Sequence, residues 1–594
     1  MNVASKGISI VKDYCCLISI LVASSLIVFS WYRPGYVILH GDLGPWFVFS
    51  DRNFFNDLFS LWFKRNAFWN SASVAILYEG MYALFEKFNV DIGLIQIILE
   101  IIFVATSIFG IYMLVRDIVN PNPIVTSISS LFYVFNVFYM PLRIYAIPYN
   151  AFQALLPFSL FSYRRYITYK ESKYLVMFLA SIIYFLPIIA LNPSLLLLYL
   201  IIFVATMAFY LLKSSDFKLK VICNIKLIFF STLVSIYWAL PYVLYSFSVA
   251  PSIARTLPPA VSWSWTSLRS SFLNIFWLNP GWAWRPEYVP YINFYNNPFV
   301  MFSSFIPFIL STLSLVALCG ATKSDMKLVT FVLLILIFLV KGFHEPLSVL
   351  YSVICETIPF YSILFREPQS KFMPVILFLI TFLLSDSLNC LSKVIKKTKI
   401  RITVMLSIFT FLFMPSLPLI TGEAIDAKTE LLPFTSYVKI PQYWFEIGQF
   451  FDSLDENYSI LVLPNDDFYQ IAYTWNYYGA DSLPFRAIRK TCLYTPFSLG
   501  YQHYEVIDQQ LEIIQKSILT KNTQTLFRLL KSLNIRFILV RRDVVWNYSN
   551  VPLLRERSMA SPFIIEDRLK EIGFPLEKEI GALAIYVNPL WTPS

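Results

Sequence analysis

The sequence predicts a polytopic α-helical membrane protein, a bundle of about eleven transmembrane helices followed by a C-terminal α+β domain on the outer face. Three observations predict it. The composition is more apolar than that of soluble globular chains, the apolar residues fall in runs of roughly 20, and the basic loops between the runs fall on one side.

Of 594 residues, 57% are apolar, 18% aromatic and only 14% charged, with a mean hydropathy of +0.61. Lipid is the solvent such a chain requires. The formal charge of +10 would suit a nucleic-acid partner if it were spread over one face. Instead the Lys and Arg residues sit at the ends of apolar segments, so the charge reports topology and no nucleic acid is expected. Seven cysteines are scattered without a CxxC pair. Most of them lie in or beside spans, so they suggest neither a zinc site nor a disulfide framework.

Lys6 and Lys12 precede an apolar stretch from Tyr14 to Tyr32 that lacks a small-residue cleavage site. It reads as a retained first span with Met1 in the cytoplasm. Spans are expected near 14–32, 92–115, 124–141, 150–163, 174–192, 194–212, 227–248, 298–319, 327–343, 370–390 and 401–420. Arg164, Arg165, Lys170 and Lys173 follow the fourth span. Lys213, Lys218, Lys220 and Lys226 follow the sixth, Lys323 and Lys327 the eighth, and Lys393, Lys396, Lys397, Lys399 and Arg401 the tenth. The positive-inside rule puts all these loops in the cytoplasm, and the odd count leaves the C-terminus outside a plasma membrane. Sequons at Asn457 and Asn547 agree with that side. The expected organisation is a transmembrane domain over 1–420, with long outer loops at 33–91, 249–297 and 344–369, and an extracytoplasmic α+β domain over 421–594.

The outer loops are aromatic, as loops that lie on a membrane interface or line a cleft there tend to be. Arg52–Arg65 has one apolar helical face and ends in two cations, and Ser73–Phe88 repeats the helical spacing with Glu79 and Glu86 on it. Trp263, Trp265, Trp277, Trp282 and Trp284 crowd one loop, where indoles serve either an interfacial belt or the apolar faces of sugars. In the tail, Ser459–Leu463, Arg536–Val540 and Leu583–Val587 read as strands and Glu505–Leu533 as helix, while Asp466-Asp467 reads as a solvated turn.

One N-terminal span, then His40-Gly-Asp-Leu-Gly-Pro-Trp46, then amphipathic helices, resembles the GT-C superfamily of lipid-phosphate-sugar-dependent glycosyltransferases. Leu526–Asp543, Ala582–Pro589 and Phe365-Arg-Glu-Pro-Gln-Ser-Lys-Phe372 are similar to segments of YfhO-type and arabinofuranosyltransferase-D-like members. The resemblance implies a membrane glycosyltransferase that moves a sugar from a polyprenyl-phosphate donor to an extracytoplasmic glycan, lipid or protein acceptor. An acidic residue just after the first span marks the active site in that superfamily, and Asp42 matches it. Trp475-Asn-Tyr-Tyr-Gly479 is faintly similar to the WWDYG motif of oligosaccharyltransferases, but it lacks the aspartate and second tryptophan, so acceptor-sequon binding is not carried over.

Chemistry points to the same residues. Glycosyl transfer needs a carboxylate to take the proton of the attacking hydroxyl, and Asp42 stands between Gly41 and Gly44, beside which a sugar can approach the backbone. Its bland alternative is a turn cap before Pro45. The leaving lipid phosphate calls for cations at headgroup level, for which Arg366 and His344 are the candidates, ahead of Lys341 and Arg143. Asp51, Glu79, Glu345 and Glu367 are candidate substrate or metal contacts, and Trp46, Trp282 and Trp284 candidate sugar-stacking residues. No DxD pair commits the site to a metal; a divalent cation is compatible with these residues and not required by them. Two other readings stay open: a flippase of lipid-linked sugars, for which Glu100 and Asp386 are the few intramembrane candidates, and a non-catalytic subunit of a cell-envelope assembly.

Overall fold

A computed structural model describes residues 3–39, 41, 44–45, 47–49, 76–141, 146–213, 216–256, 260–281, 292–318, 324–428, 433–454, 457–466, 470–495, 505–548 and 559–593. The chain divides into two compact units that are not consecutive in sequence. One comprises Met1–Tyr32, Ile97–Leu240 and Leu257–Ile425; the other comprises Arg33–Gln96, Pro241–Thr256 and Asp426–Ser594. The first outer loop therefore groups with the C-terminal residues, although in sequence it is enclosed by the helices.

Each of the eleven expected spans coincides with a helix: α1 (Val3–Phe29), α2 (Ile92–Ile118), α3 (Pro123–Val134), α4 (Ile147–Tyr169), α5 (Ser172–Ala190), α6 (Pro193–Leu212), α7 (Phe217–Thr256), α8 (Pro298–Leu318), α9 (Ser324–Val340), α10 (Pro368–Val394) and α11 (Thr398–Phe413). Among the described residues seven helical stretches are long and apolar enough to cross a membrane, in α1, α2, α5, α6, α7, α10 and the α11 region, while α3, α8 and α9 supply shorter apolar helices. The chain is accordingly a multi-pass membrane protein. Sequence signals start these helices: Asn122 caps α3 by accepting from the Val125 amide at 2.9 Å, and Asn192 caps α6, each followed by a proline at the first helical position.

The helices differ in what they face. In α10, 89% of the most apolar window is buried, and it packs on α3, α8 and α9. In α7 the figure is 11%, and Ile225, Phe229, Leu233 and Ile236 point outward as a stripe that only lipid would solvate. Several polar groups inside the bundle are hydrogen-bonded, as hydrocarbon favours. Gln153 donates to the Tyr133 carbonyl at 2.5 Å, Asn150 to Glu100 at 3.1 Å and Ser314 to Asp386 at 3.0 Å. The 344–369 segment, expected as a long outer loop, holds a helix at Ser348–Thr357.

In the second unit a five-stranded mixed sheet has the order β6-β3-β7-β9-β8, built from β3 (Ser459–Leu463), β6 (Thr491–Leu493), β7 (Ile535–Arg541), β8 (Leu576–Ile580) and β9 (Leu583–Val587). β3 runs parallel to β6 and β7, whereas β9 is antiparallel to β7 and β8. Helices Glu505–Leu519, Thr523–Ser532 and Pro562–Ile572 bury Leu511, Ile514, Leu530 and Ile565 against Ile538 and Val540 on one face. Phe537 faces the other way and meets Phe451 of helix Tyr443–Asp452 at 5.6 Å. That two-residue alternation, with both faces covered, is why β7 reads as one continuous apolar run. The helix expected over Glu505–Leu533 is two helices, because Lys521 adopts φ 58° and Asn522 caps a fresh start by accepting from the Thr525 amide. Of the pair read as a solvated turn, Asp466 is buried, with its carboxylate accepting from the Tyr548 hydroxyl at 2.9 Å, and Asp467 lies outside the described residues.

Candidate functional site

In the second unit, the chain leaving the first helix is hydrogen-bonded on both edges. β1 (Val37–Ile38) pairs antiparallel with β2 (Tyr437–Val438) on one side. On the other, the Gln96 amide exchanges two hydrogen bonds of 2.8 Å with the Ile38 backbone. Leu39 N then donates to Ser436 O at 2.8 Å. Next comes a bridge to the hairpin formed by β4 (Gln470–Tyr473) and β5 (Tyr477–Ala480): Gly41 N donates to Tyr478 O at 3.3 Å and Ala480 N to Gly41 O at 2.8 Å.

The glycines are needed there. Gly41 has φ 56°, a conformation side chains resist. A Cβ on Gly479 would stand 2.5 Å from Gly41 O, and one on Gly44 would stand 2.7 Å from Ser482 Oγ and 3.0 Å from Ala480 O. Two segments singled out separately in the sequence, His40–Trp46 and Trp475–Gly479, are thus joined backbone to backbone. Asp42, Trp46, Asp51, Trp282 and Trp284 lie outside the described residues, as does the amphipathic segment Arg52–Arg65.

Under this hairpin lies a buried polar framework. Asp543 Oδ2 accepts from Tyr443 Oη at 2.9 Å and from the indoles of Trp444 and Trp475 at 3.0 Å each. Burial nevertheless pushes its carboxyl above the usual carboxylate range, against the opposing pull of those three donors. Arg541 donates to Asp481 at 2.7 Å and to Tyr473 Oη at 3.1 Å, and the Tyr473 hydroxyl donates to Asp481 at 2.7 Å. Trp475 and Tyr477 stack with ring centroids 5.6 Å apart and planes 9° from parallel. Glu79, on helix Ile76–Lys87, accepts from Arg486 at 2.5 Å in an ion pair whose side chains are 3% and 4% exposed. A carboxylate committed to a buried guanidinium is a framework group, so this geometry assigns Glu79 differently from the sequence reading.

The first unit collects the candidate cations. Arg366 Nε stands 3.6 Å from Glu367, whose other oxygen is 3.7 Å from Lys371 and accepts from Ser370 Oγ at 3.2 Å. Lys371 also donates to Tyr149 Oη at 3.2 Å. The Arg366 side chain is 47% exposed, against 13% for Glu367 and 12% for Lys371. Residues 266 and 267 tie this loop to that of His344: the Thr266 hydroxyl donates to Arg366 O, and His344 Nε2 lies 2.5 Å from Ser267 O. A carbonyl only accepts, so Nε2 of His344 is the donor in this contact. Lys341 is buried and donates to His344 O at 2.6 Å, which makes it a strut of the turn rather than a snorkelling anchor. Glu345 accepts from Ser348 Oγ at 2.5 Å, a bond that holds its carboxyl below the usual range. Among the described residues, no three His, Cys, Asp or Glu side chains converge as a metal set.

Sequence reasoning passed over three of these participants. Lys371 stood in the quoted 365–372 segment without a role, Tyr149 carried no signal, and Arg486 is 407 positions from the carboxylate it holds.

Comparison with known proteins bears on the whole chain. The family described as Alpha-(1->3)-arabinofuranosyltransferase, N-terminal GT-C domain, matches residues 204–573, more than half of the sequence. No curated protein sequence matches. The solved structure of arabinofuranosyltransferase AftD from mycobacteria superposes with a TM-score of 0.63 at 13% identity, covering 96% of this chain and 39% of that one. A variant of the same protein gives 0.62 at 12%, with 96% and 41% covered. The oligosaccharyltransferase AglB from Archaeoglobus fulgidus, in complex with an inhibitory peptide and a dolichol-phosphate, gives 0.45 at 12%, with 88% and 69% covered. At these identities the AftD likeness speaks for the fold, and the chain spans about two fifths of the length of those AftD structures.

Proposed function

This chain belongs to the arabinofuranosyltransferase GT-C family, and from that premise we propose that it is a membrane glycosyltransferase which moves a sugar, of the arabinofuranosyl class, from a polyprenyl-phosphate donor to an extracytoplasmic glycan acceptor. Its N-terminus is cytoplasmic and residues 426–594 are outside, in keeping with the basic loops after spans four, six, eight and ten. Asp42 is the base. The acceptor hydroxyl oxygen attacks the anomeric carbon, its proton passes to the Asp42 carboxylate, and the bond from that carbon to the phosphate oxygen breaks with its electron pair. Polyprenyl phosphate leaves carrying the negative charge of that electron pair.

The observation that supports this reading most is the hydrogen-bonding of Gly41 to the Tyr478–Ala480 backbone, with Gly44 lying close against Ala480 and Ser482. General-base catalysis requires a carboxylate whose neighbouring backbone is fixed in place. The Arg366 guanidinium is half exposed, so phosphate oxygens can reach its planar fork. Glu367 and Lys371 then position Arg366, and Glu79 belongs to the framework.

The test is transfer by the purified full-length protein from a panel of radiolabelled polyprenyl-phosphate sugars, arabinofuranose included, to acceptors in membrane extract. Asp42→Asn is expected to lower the rate by about 10²–10⁴-fold without moving the thermal unfolding midpoint. Undiminished transfer by Asp42→Asn removes that residue from the mechanism. Absence of transfer from every donor, with movement of labelled lipid between leaflets, overturns the enzyme reading in favour of a flippase.

A further inference from the structure

We propose that the cleft among the ends of α2, α3, α10 and α11 binds the phosphate headgroup of an anionic membrane lipid. The cleft has a volume of about 540 Å³, and its polar lining includes Arg116, Asn120, Asn122, Lys393, Lys396 and Arg401, with no carboxylate among the lining residues. Arg116 is already matched, to Asp13 at 2.5 Å. Among the described residues Lys393, Lys396 and Arg401 have no carboxylate within ion-pair distance, which leaves three like charges converging on one concavity. Like charges gathered in a recess repel unless an anion sits between them. The start of α3 adds its partial positive charge, since Asn122 caps the helix and is steadied by a 3.4 Å contact with Ser392.

A general excess of cytoplasmic lysine accounts for the number of cations in the 393–401 loop but not for a recess that also presents the amides of Asn120, Asn122 and Asn389. Basic recesses between membrane helices are where phosphate headgroups bind. The rim selects a lipid over free phosphate: Ile124, Val394 and Ile402 are 62%, 75% and 53% exposed beside the cleft, an apolar border suited to acyl chains. The assignment is independent of the glycosyl-transfer reading, because it uses none of the residues of that site.

The experiment is native mass spectrometry of the full-length protein in detergent with added phosphatidylglycerol or phosphatidylcholine, reading the lipid-bound fraction. Wild type is expected to retain phosphatidylglycerol and not phosphatidylcholine. The variant K393Q/K396Q/R401Q is expected to bind phosphatidylglycerol about tenfold more weakly or worse. The control K218Q/K220Q/K226Q, which removes cations from the start of α7 instead, is expected to match wild type. Because all six side chains can be exchanged without opening the core, thermal unfolding should stay unchanged and serves as the folding check. Equal retention by the first variant overturns the site, and so does an equal loss in both variants, which would reduce it to surface charge. Full displacement of the lipid by inorganic phosphate at the same concentration overturns the lipid assignment.

Discussion

The ionisable groups of the hairpin framework and those around Arg366 are built on opposite plans. Beneath the hairpin, Arg541 is 1% exposed and Asp481 6%, and Arg486 and Glu79 are hidden to a similar degree, each cation with its carboxylate at 2.5–2.7 Å. Around the 366 loop, an arginine nearly half exposed leans on Glu367 at 3.6 Å. Burying a charge is costly unless its partner is close, so the first arrangement is a fixed scaffold. The second costs little to rearrange. If that contrast is right, mutations in the first region act through stability and those in the second through substrate.

The largest stability loss is expected from Arg541→Met, which strands the buried Asp481 carboxylate and should cost about 3–5 kcal/mol. Thermal unfolding of the detergent-purified protein would show it, and a loss below about 1 kcal/mol breaks the contrast at its strongest point. Glu79→Gln leaves the buried Arg486 guanidinium uncompensated, and about 3 kcal/mol is expected by the same logic. Lost transfer with unchanged stability would instead return Glu79 to the list of substrate contacts.

Gly479→Ala sharpens the link between the two motifs. The added methyl meets the Gly41 carbonyl at 2.5 Å, so that strand must shift. A cost of about 1–3 kcal/mol is expected, together with a fall in transfer rate that a temperature well below unfolding does not restore. The burial of Asp543 makes a pH prediction. Its folded carboxyl keeps its proton to higher pH than the unfolded chain does, so stability is greatest below the ordinary carboxylate range and declines as pH rises toward the raised value. Asp543→Asn should flatten that decline, as unfolding midpoints measured across mildly acidic pH would reveal. The smallest stability effect belongs to Arg366→Ala, within about 0.5 kcal/mol because the side chain is half exposed. Its readout is a raised KM for donor, only partly recovered by Arg366→Lys, since an ammonium lacks the guanidinium fork.

What was legible in the sequence follows the range over which each signal acts. Eleven apolar runs coincide with eleven helices, and β3, β7 and β9 lie where Ile460, Phe537 and Ile585 sit in apolar strand-like runs. The helix Ile76–Lys87 was visible from its spacing, and only its neighbours 73–75 lie outside the described residues. The break at Lys521-Asn522 was not, because a positive φ at lysine leaves no compositional mark. Arg366 and His344 were legible as cations in loops, but not that Thr266 and Ser267 tie the two loops together.

The sequence alone determined that this is a multi-pass membrane protein, since hydropathy and charge act residue by residue along the chain and need no partner to be read, and its short motifs carried the resemblance to the GT-C superfamily. Only the tertiary structure decided that Gly41 lies on Gly479, that Glu79 is held by Arg486, and that Lys393, Lys396 and Arg401 share one cleft. Such pairings form through backbone hydrogen bonds and buried charges between distant segments. Their energy depends on where the fold brings those segments, and no local pattern records that.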